Sequence, residues 1–184
     1  MKPFRSVLGL IVGWVWLVIA AAALLDVAFR GRDRASAIAA AVLLLGCGLA
    51  YALGLRPSVA AEETALVVRN PFRTTRLPWR RIKEIRPGRA LTVAYDGGEV
   101  EAWAVQASAR SVARARRAKP DPKLPGNLAE QAAGRTPVDF AAERLEEVRA
   151  RSGGDGEVAA AWSWTALAAV LVPLAALAVL LLVP

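Results

Sequence analysis

Arginine supplies most of the chemistry this sequence can offer. Arg69, Arg73, Arg76, Arg80, Arg81 and Lys83 crowd one short stretch, and Arg110, Arg114, Arg116 and Arg117 crowd a second. A guanidinium stays charged at any physiological pH and presents a rigid fork of donors that fits phosphate or carboxylate. The chemistry implied is anion recognition, not proton transfer. Beside an anionic leaflet each such cation is worth about 1 kcal/mol of attraction. Arg73, Arg76, Arg80 and Arg81, with Arg110, Arg114 and Arg117, are therefore the candidate contacts for anionic lipid. The last three share one face of a helix expected from Ser108 to Lys119, with Ala109, Val112 and Ala113 turned away from it. A basic amphipathic helix of this kind can lie on a bilayer. No stacking aromatics accompany it, which argues against nucleic acid as a partner. The competing reading for both clusters is a solvated face in an arginine-rich protein.

The remaining residue types narrow the choice further. The chain has no histidine and one cysteine. That removes Ser-His-Asp and Cys-His arrangements and His-containing metal sites, and it leaves no intrachain disulfide. Asp96, Glu99 and Glu101 are close in sequence but flank a hairpin turn, where such residues ordinarily serve turn chemistry and solubility. Glu143, Glu146 and Glu147 lie on a later helix, where Glu147 and Arg151 are spaced for an i,i+4 pair. No nucleophile–base pair, Gly-rich phosphate loop or metal-ligand set is legible. The expectation is a protein without catalytic residues, metal or cofactor.

The elements that must position these side chains begin with three charge-free apolar stretches: Val7–Leu25, Ala35–Leu55 and Val158–Pro184. Each reaches or nears the roughly 20 residues a helix needs to cross the hydrocarbon core. The first is too long, and with Trp14 and Trp16 too aromatic, to favour a cleavable signal peptide. Asp26 should end it, leaving a turn to Arg34 and making the first two spans a hairpin. Gly9 and Gly13 form a G-x-x-x-G, which favours packing within the molecule over dimerisation in so Ala-rich a helix. Trp162 and Trp164 suit the headgroup zone of the third span, and Pro173 should kink it. Cys47 reads as a small packing residue in the second span. Three spans put the N-terminus and the polar segment on one side. That segment holds 19 of the 24 Lys and Arg residues, so the positive-inside rule favours the cytoplasm, against Arg30, Arg32 and Arg34 in the opposite loop.

Between the second and third spans lie about 100 residues, enough for one small domain. Short extended pieces are expected at Pro57–Ala61, Thr64–Asn70, Thr74–Trp79 and Ile82–Arg86, separated by turns at Glu62-Glu63, Asn70-Pro71 and Arg80-Arg81. Ala90–Tyr95 and Glu99–Val105 alternate on either side of Asp96-Gly97-Gly98, a strong hairpin signal. Leu91, Val93 and Tyr95 share one face. Glu99, Glu101 and Trp103 share a face of the partner strand, and Val100, Ala102 and Ala104 take the other. Lys119 to Gly134 is rich in Pro and Gly and reads as a loop. A last amphipathic helix follows, with Thr136 to cap it, Pro137 at its first position, Asp139 at its positive end, and Arg149 and Arg151 at its negative end. The domain spans residues 56–151, and residues 152–157 read as a linker to the third span.

The run Arg56-Pro57-Ser58-Val59, then Leu66-Val67-Val68-Arg69-Asn70-Pro71-Phe72-Arg73-Thr74, then Leu77-Pro78-Trp79 and Ile82, resembles the bacterial PH-like domains of small actinobacterial membrane proteins. There an R-P-x-V, V-x-V-R-N-P-x-R-T and P-W-x-x-I pattern follows a two-helix membrane hairpin. The resemblance covers residues 1–105 and thins from 106 to 135. It implies a membrane location and a PH-like fold; with the three apolar stretches, the expected fold class is an α+β membrane protein with three transmembrane helices and a PH-like β-barrel or sandwich capped by a C-terminal amphipathic helix. It implies no catalytic activity, since a fold alone does not carry function. The pattern residues read as fold residues, with Asn70-Pro71 setting a turn and Trp79 and Ile82 filling the core. In eukaryotic PH domains that bind inositol phosphates the basic residues crowd the first hairpin loop. The matching Ala61-Glu62-Glu63 is acidic, which argues against a phosphoinositide pocket of that kind.

Two functions follow as expectations. The first is a non-enzymatic adaptor at the cytoplasmic membrane face, whose domain presents a sheet edge or groove to another membrane or envelope-associated protein. The second is peripheral recognition of anionic lipid headgroups by the arginine clusters. A transporter is disfavoured, because none of the three spans carries a charge.

Overall fold

A computed structural model of the chain describes residues 3–117 and 135–182. The loop expected over Lys119–Gly134 lies outside these residues. The chain divides into two compact units, one of residues 1–4, 58–69 and 75–160, the other of residues 5–57, 70–74 and 161–184.

The first unit is built on short strands, of which Arg73 and Thr74 of the third and Ala161 and Trp162 of the last are counted with the second unit. They are β1 (Ser58–Ala61), β2 (Ala65–Arg69), β3 (Arg73–Pro78), β4 (Ile82–Arg86), β5 (Ala90–Tyr95), β6 (Gly98–Gln106) and β7 (Ala159–Trp162). One sheet has the order β1-β2-β3-β7 and the other β4-β5-β6. The pairs β1–β2, β4–β5 and β5–β6 are antiparallel. The two sheets do not join into a closed barrel, so of the expected barrel or sandwich it is the open arrangement of two sheets that forms. Their inward residues make one core: Val59, Leu66, Val68 and Leu77 from the first sheet, and Ile82, Ile85, Leu91, Val93, Ala102 and Ala104 from the second. The β5–β6 hairpin has the expected alternation, with Ala102 buried between exposed Glu101 and Trp103. Tyr95 pairs with Gly98 across a two-residue turn, and Gly97 has φ +113°, a conformation that Gly adopts without Cβ strain.

Trp79 opens a single 3-10 turn, Trp79–Arg81, and is 2% exposed. Its indole N–H donates to the Glu62 carbonyl at 2.9 Å, so the buried ring keeps its polar atom satisfied. A helix, α3, covers Ala109–Arg117, and Ser108 caps it through Ser111 N–H. Its inward residue is Ala115, while Ala109 and Ala113 are exposed, so the apolar side falls differently from the expected one. The next helix, α4 (Pro137–Arg151), starts with a full capping box. The Thr136 hydroxyl accepts from Asp139 N–H, and the Asp139 carboxylate accepts from Thr136 N–H. Val138, Ala141, Ala142 and Leu145 enter the core. Glu147 pairs with Arg144 at 2.5 Å in place of the expected Arg151.

The segment after α4 is bound to the domain. Gly154 is buried, its carbonyl accepts from Arg80 N–H at 3.1 Å, and a Cβ there would stand 1.8 Å from the Thr64 carbonyl oxygen. Residues 152–157 are thus part of the first unit and not a free linker.

The second unit holds the long helices. The first, α1 (Val7–Arg30), runs past its expected end, because Arg30 Nε meets the Asp26 carboxylate one turn away at 3.0 Å and the charge is carried within the helix. The next, α2 (Arg34–Leu49), continues as a π-helical turn over Ala50–Leu55, closed by an Arg56 N–H to Tyr51 carbonyl bond of 2.9 Å. The charge-free run beginning at Val158 opens not as helix but as β7, and α5 covers only Trp164–Leu182, with Pro173 inside it. A four-residue apolar strand and a helix start look alike in hydropathy, and only pairing with β3 separates them. Three helical segments, Val7–Arg30, Arg34–Leu55 and Trp164–Leu182, are long and apolar enough to cross a membrane.

Small residues let these helices approach closely. A Cβ on Gly54 would lie 2.7 Å from the Gly9 carbonyl oxygen, and one on Gly48 would lie 2.0 Å from that of Ala169. Gly9 and Gly13 are therefore used inside the molecule, as expected, facing Gly54 and Leu55. At the start of α2 the Asp33 carboxylate caps Ser36 N–H at 3.0 Å, and Arg34 donates to the Leu180 carbonyl near the end of α5 at 2.5 and 3.0 Å.

Candidate binding surfaces

The first arginine cluster divides between two turns. On the turn Trp79–Arg81 the cations face acids. Arg80 meets Asp155 at 3.8 Å, and Arg81 meets Asp96 at 3.9 Å while donating to the Gly156 carbonyl at 3.2 Å. Lys83 meets the same Asp96 at 3.2 Å. Just upstream, on β3, Arg76 pairs with Glu62 at 2.5 Å and donates to the Thr64 hydroxyl. These pairs are exposed and individually weak. Together they cancel much of the positive field that the sequence suggests, and the acids come from positions 13 to 75 residues distant in either direction, which spacing cannot reveal.

The turn Asn70–Thr74 is built otherwise. Arg56, just past the π-helical turn, donates to the Asn70 carbonyl, to the Pro71 carbonyl at 3.1 Å and to the Thr74 hydroxyl at 2.8 Å. Ser163, just before α5, donates its N–H to the Phe72 carbonyl at 2.8 Å. One short turn thus ties together the ends of two long helices. This gives the sequence pattern its physical meaning: the Arg of R-P-x-V and the N-P-x-R-T turn are hydrogen-bonded partners. Arg73 rides on that turn, exposed, and among the described residues it makes no ion pair. On α3, Arg110 and Arg117 are exposed as well, while only the backbone position of Arg114 is described.

The sheet edges differ in availability. The β1 edge is taken by Phe4, whose N–H and carbonyl bond Val59 at 2.8 and 2.9 Å. The β4 edge is taken by α4. Glu146 accepts from Ile85 N–H at 3.3 Å, and Arg149 donates to the Ile82 and Lys83 carbonyls at 2.5 and 3.2 Å. Side chains thus occupy the groups an incoming strand would need.

The outer face of β4-β5-β6 carries a shallow hollow of about 730 Å³. Trp103 lies in it with Arg86, Arg89, Thr92, Glu101 and Gln106 among its lining residues. Trp103 is 48% exposed although it belongs to a regular strand. Arg86 pairs with Glu99 on this face. The alternation of β6 had already placed Trp103 beside Glu99 and Glu101, away from the core. What spacing does not show is that Arg86 and Arg89, from the end of β4 and the turn into β5, join them on this face.

Among the described residues, no three His, Cys, Asp or Glu side chains come together to hold a metal ion.

Two small antiparallel sheets pack around one core, with a C-terminal helix against the second, an α+β arrangement in keeping with a PH-like sandwich. Residues 56–122 match the bacterial PH domain family, so this part of the chain carries a bacterial PH domain. No curated protein and no solved structure matches the chain.

Proposed function

We propose that the protein is a non-enzymatic membrane adaptor. Its three long helices cross the cell membrane and place the PH domain on the cytoplasmic side, where the outer face of β4-β5-β6 binds another membrane or envelope-associated protein. The observation that supports this most directly is Trp103, half exposed on a strand face and ringed by charged and polar groups. Solvent-facing tryptophans with nearby arginines are typical anchors of protein interfaces. The occupied β1 and β4 edges favour a face over strand addition at those edges. The acids beside Arg80 and Arg81 weigh against the lipid reading at that cluster.

The test places a photo-crosslinking amino acid at position 103 of the full chain in its native membrane, with a control at Arg144 on α4. A discrete protein adduct from position 103, absent from the control and lost when Arg89 is changed to Glu, is the expected result. Adducts of equal intensity at both positions, or none at either, would reject the face.

A further inference from the structure

We infer that the turn Asn70–Thr74 forms a binding site for the phosphate of an anionic phospholipid, with Arg73 as its cation. The inference rests on the helices crossing a bilayer, as proposed above, and is independent of Trp103. Three observations carry it. The turn is fixed to the end of the second long helix by Arg56 and to the start of α5 by the Ser163 N–H to Phe72 carbonyl bond. Its height relative to the helices is therefore set by hydrogen bonds and not by chance. The same bond puts Trp162 and Trp164 on either side of the residue that faces Phe72, and these tryptophans are 60% and 77% exposed. Tyr51, also exposed, lies one turn before Arg56. Aromatic side chains exposed at a helix end mark the headgroup level of a bilayer. Finally, Arg73 projects there without an ion pair among the described residues, unlike Arg76, Arg80 and Arg81. A guanidinium on a turn held at the level of these aromatic side chains has a phosphate as its natural counter-ion.

The shared chemistry is a phosphate ester, which a lipid or a soluble compound could supply, and the experiment separates them. The full chain is reconstituted into nanodiscs of mixed phosphatidylcholine and phosphatidylglycerol, released into a neutral detergent, and its retained lipids are counted by native mass spectrometry. The expected result is enrichment of phosphatidylglycerol over its share in the nanodisc. That enrichment should fall about five-fold in Arg73→Gln, persist in Arg73→Lys, and be unchanged in Arg80→Gln/Arg81→Gln. Equal enrichment in wild type and Arg73→Gln would overturn the site. So would loss in the Arg80/Arg81 variant but not in Arg73→Gln. Displacement of the lipid by millimolar glycerol 3-phosphate would replace the lipid by a soluble phosphate ester and overturn the assignment. A chain that never enters the nanodisc would instead reject the membrane reading on which the site rests, a result distinct from entry without lipid selection.

Discussion

Two turns a few residues apart, Asn70–Thr74 and Trp79–Arg81, carry the same residue type and use it in opposite ways. In the first, a guanidinium from elsewhere, Arg56, is spent on main-chain carbonyls and holds the turn, while the turn's own Arg73 stays exposed. In the second, a buried indole and main-chain bonds hold the turn, while its own Arg80 and Arg81 meet acids. A count of arginines treats the two alike. What distinguishes them is the partner each guanidinium finds, and partners are a property of the fold.

The strongest way to break the comparison is at the indole. Trp79→Ala removes a fully buried ring and the bond to Glu62, and it should cost about 3–5 kcal/mol of stability in the PH domain. Thermal unfolding of the full chain in detergent, followed by near-UV circular dichroism, measures this. Trp79→Phe keeps most of the apolar volume and loses the hydrogen bond, so it should recover more than half of the loss. A loss under 1 kcal/mol for the Ala variant would mean that the main-chain bonds alone hold the second turn.

The first turn is tested at Arg56. Arg56→Ala leaves two turn carbonyls and the Thr74 hydroxyl without their charged donor, and hydrogen bonds to charged groups are worth about 1.5–3 kcal/mol. A destabilisation of about 2 kcal/mol is expected, with faster amide hydrogen exchange at residues 70–74 and little change at Trp79–Arg81. Arg56→Lys should not restore protection, because one ammonium cannot reproduce a fork spanning three acceptors. Exchange that rises equally in both turns would show that they are not held separately.

Much of this architecture was legible in the residues, for identifiable reasons. Alternation around Asp96-Gly97 defined β5 and β6. Thr136, Pro137 and Asp139 announced the start of α4, although the reciprocal bond from Asp139 to Thr136 N–H emerges only in three dimensions. Three features escaped. The strand β7 hides in an apolar run because four residues carry no readable period. Asp26 looked like a helix stop because its pairing with Arg30 depends on the helix already continuing. Residues 152–157 looked like a linker because Gly-rich composition signals flexibility, whereas the glycine at 154 serves close approach to Thr64. Among the candidate lipid contacts, spacing grouped Arg73 with Arg76, Arg80 and Arg81. The fold separates them, since Glu62, Asp96 and Asp155 reach only the latter three.

A smaller effect sharpens the contrast between the turns. Arg80→Gln/Arg81→Gln removes two exposed, long ion pairs, each worth between zero and about 1 kcal/mol. The double variant should unfold within about 1 kcal/mol of wild type, and the difference should vanish in 1 M salt, where charges are screened beyond about 3 Å. A larger, salt-independent loss would give these arginines a structural weight comparable to that of Arg56.

The smallest effect concerns a third polar turn, Gly31–Asp33, where a carboxylate instead of a guanidinium does the holding. The Ser36 hydroxyl, and then the Ser36 backbone N–H, donate to Asp33 and hold its carboxyl below the usual carboxylate range. Because the folded value is depressed, this cap contributes stability above the unfolded pKa, and the contribution is lost as pH falls through the folded one. Amide exchange at Ser36 should therefore be constant from pH 7 to pH 5, after correction for the intrinsic rate, and should quicken only below the ordinary Asp value of 3.8. Asp33→Asn retains a capping oxygen but no charge, so it should flatten that acid response while keeping the helix start protected. The turn Asn70–Thr74, held by Arg56, should show no such acid step. If both turns loosened together in acid, the loss would have to arise from a carboxylate common to them, and the separate holding of each turn would be refuted.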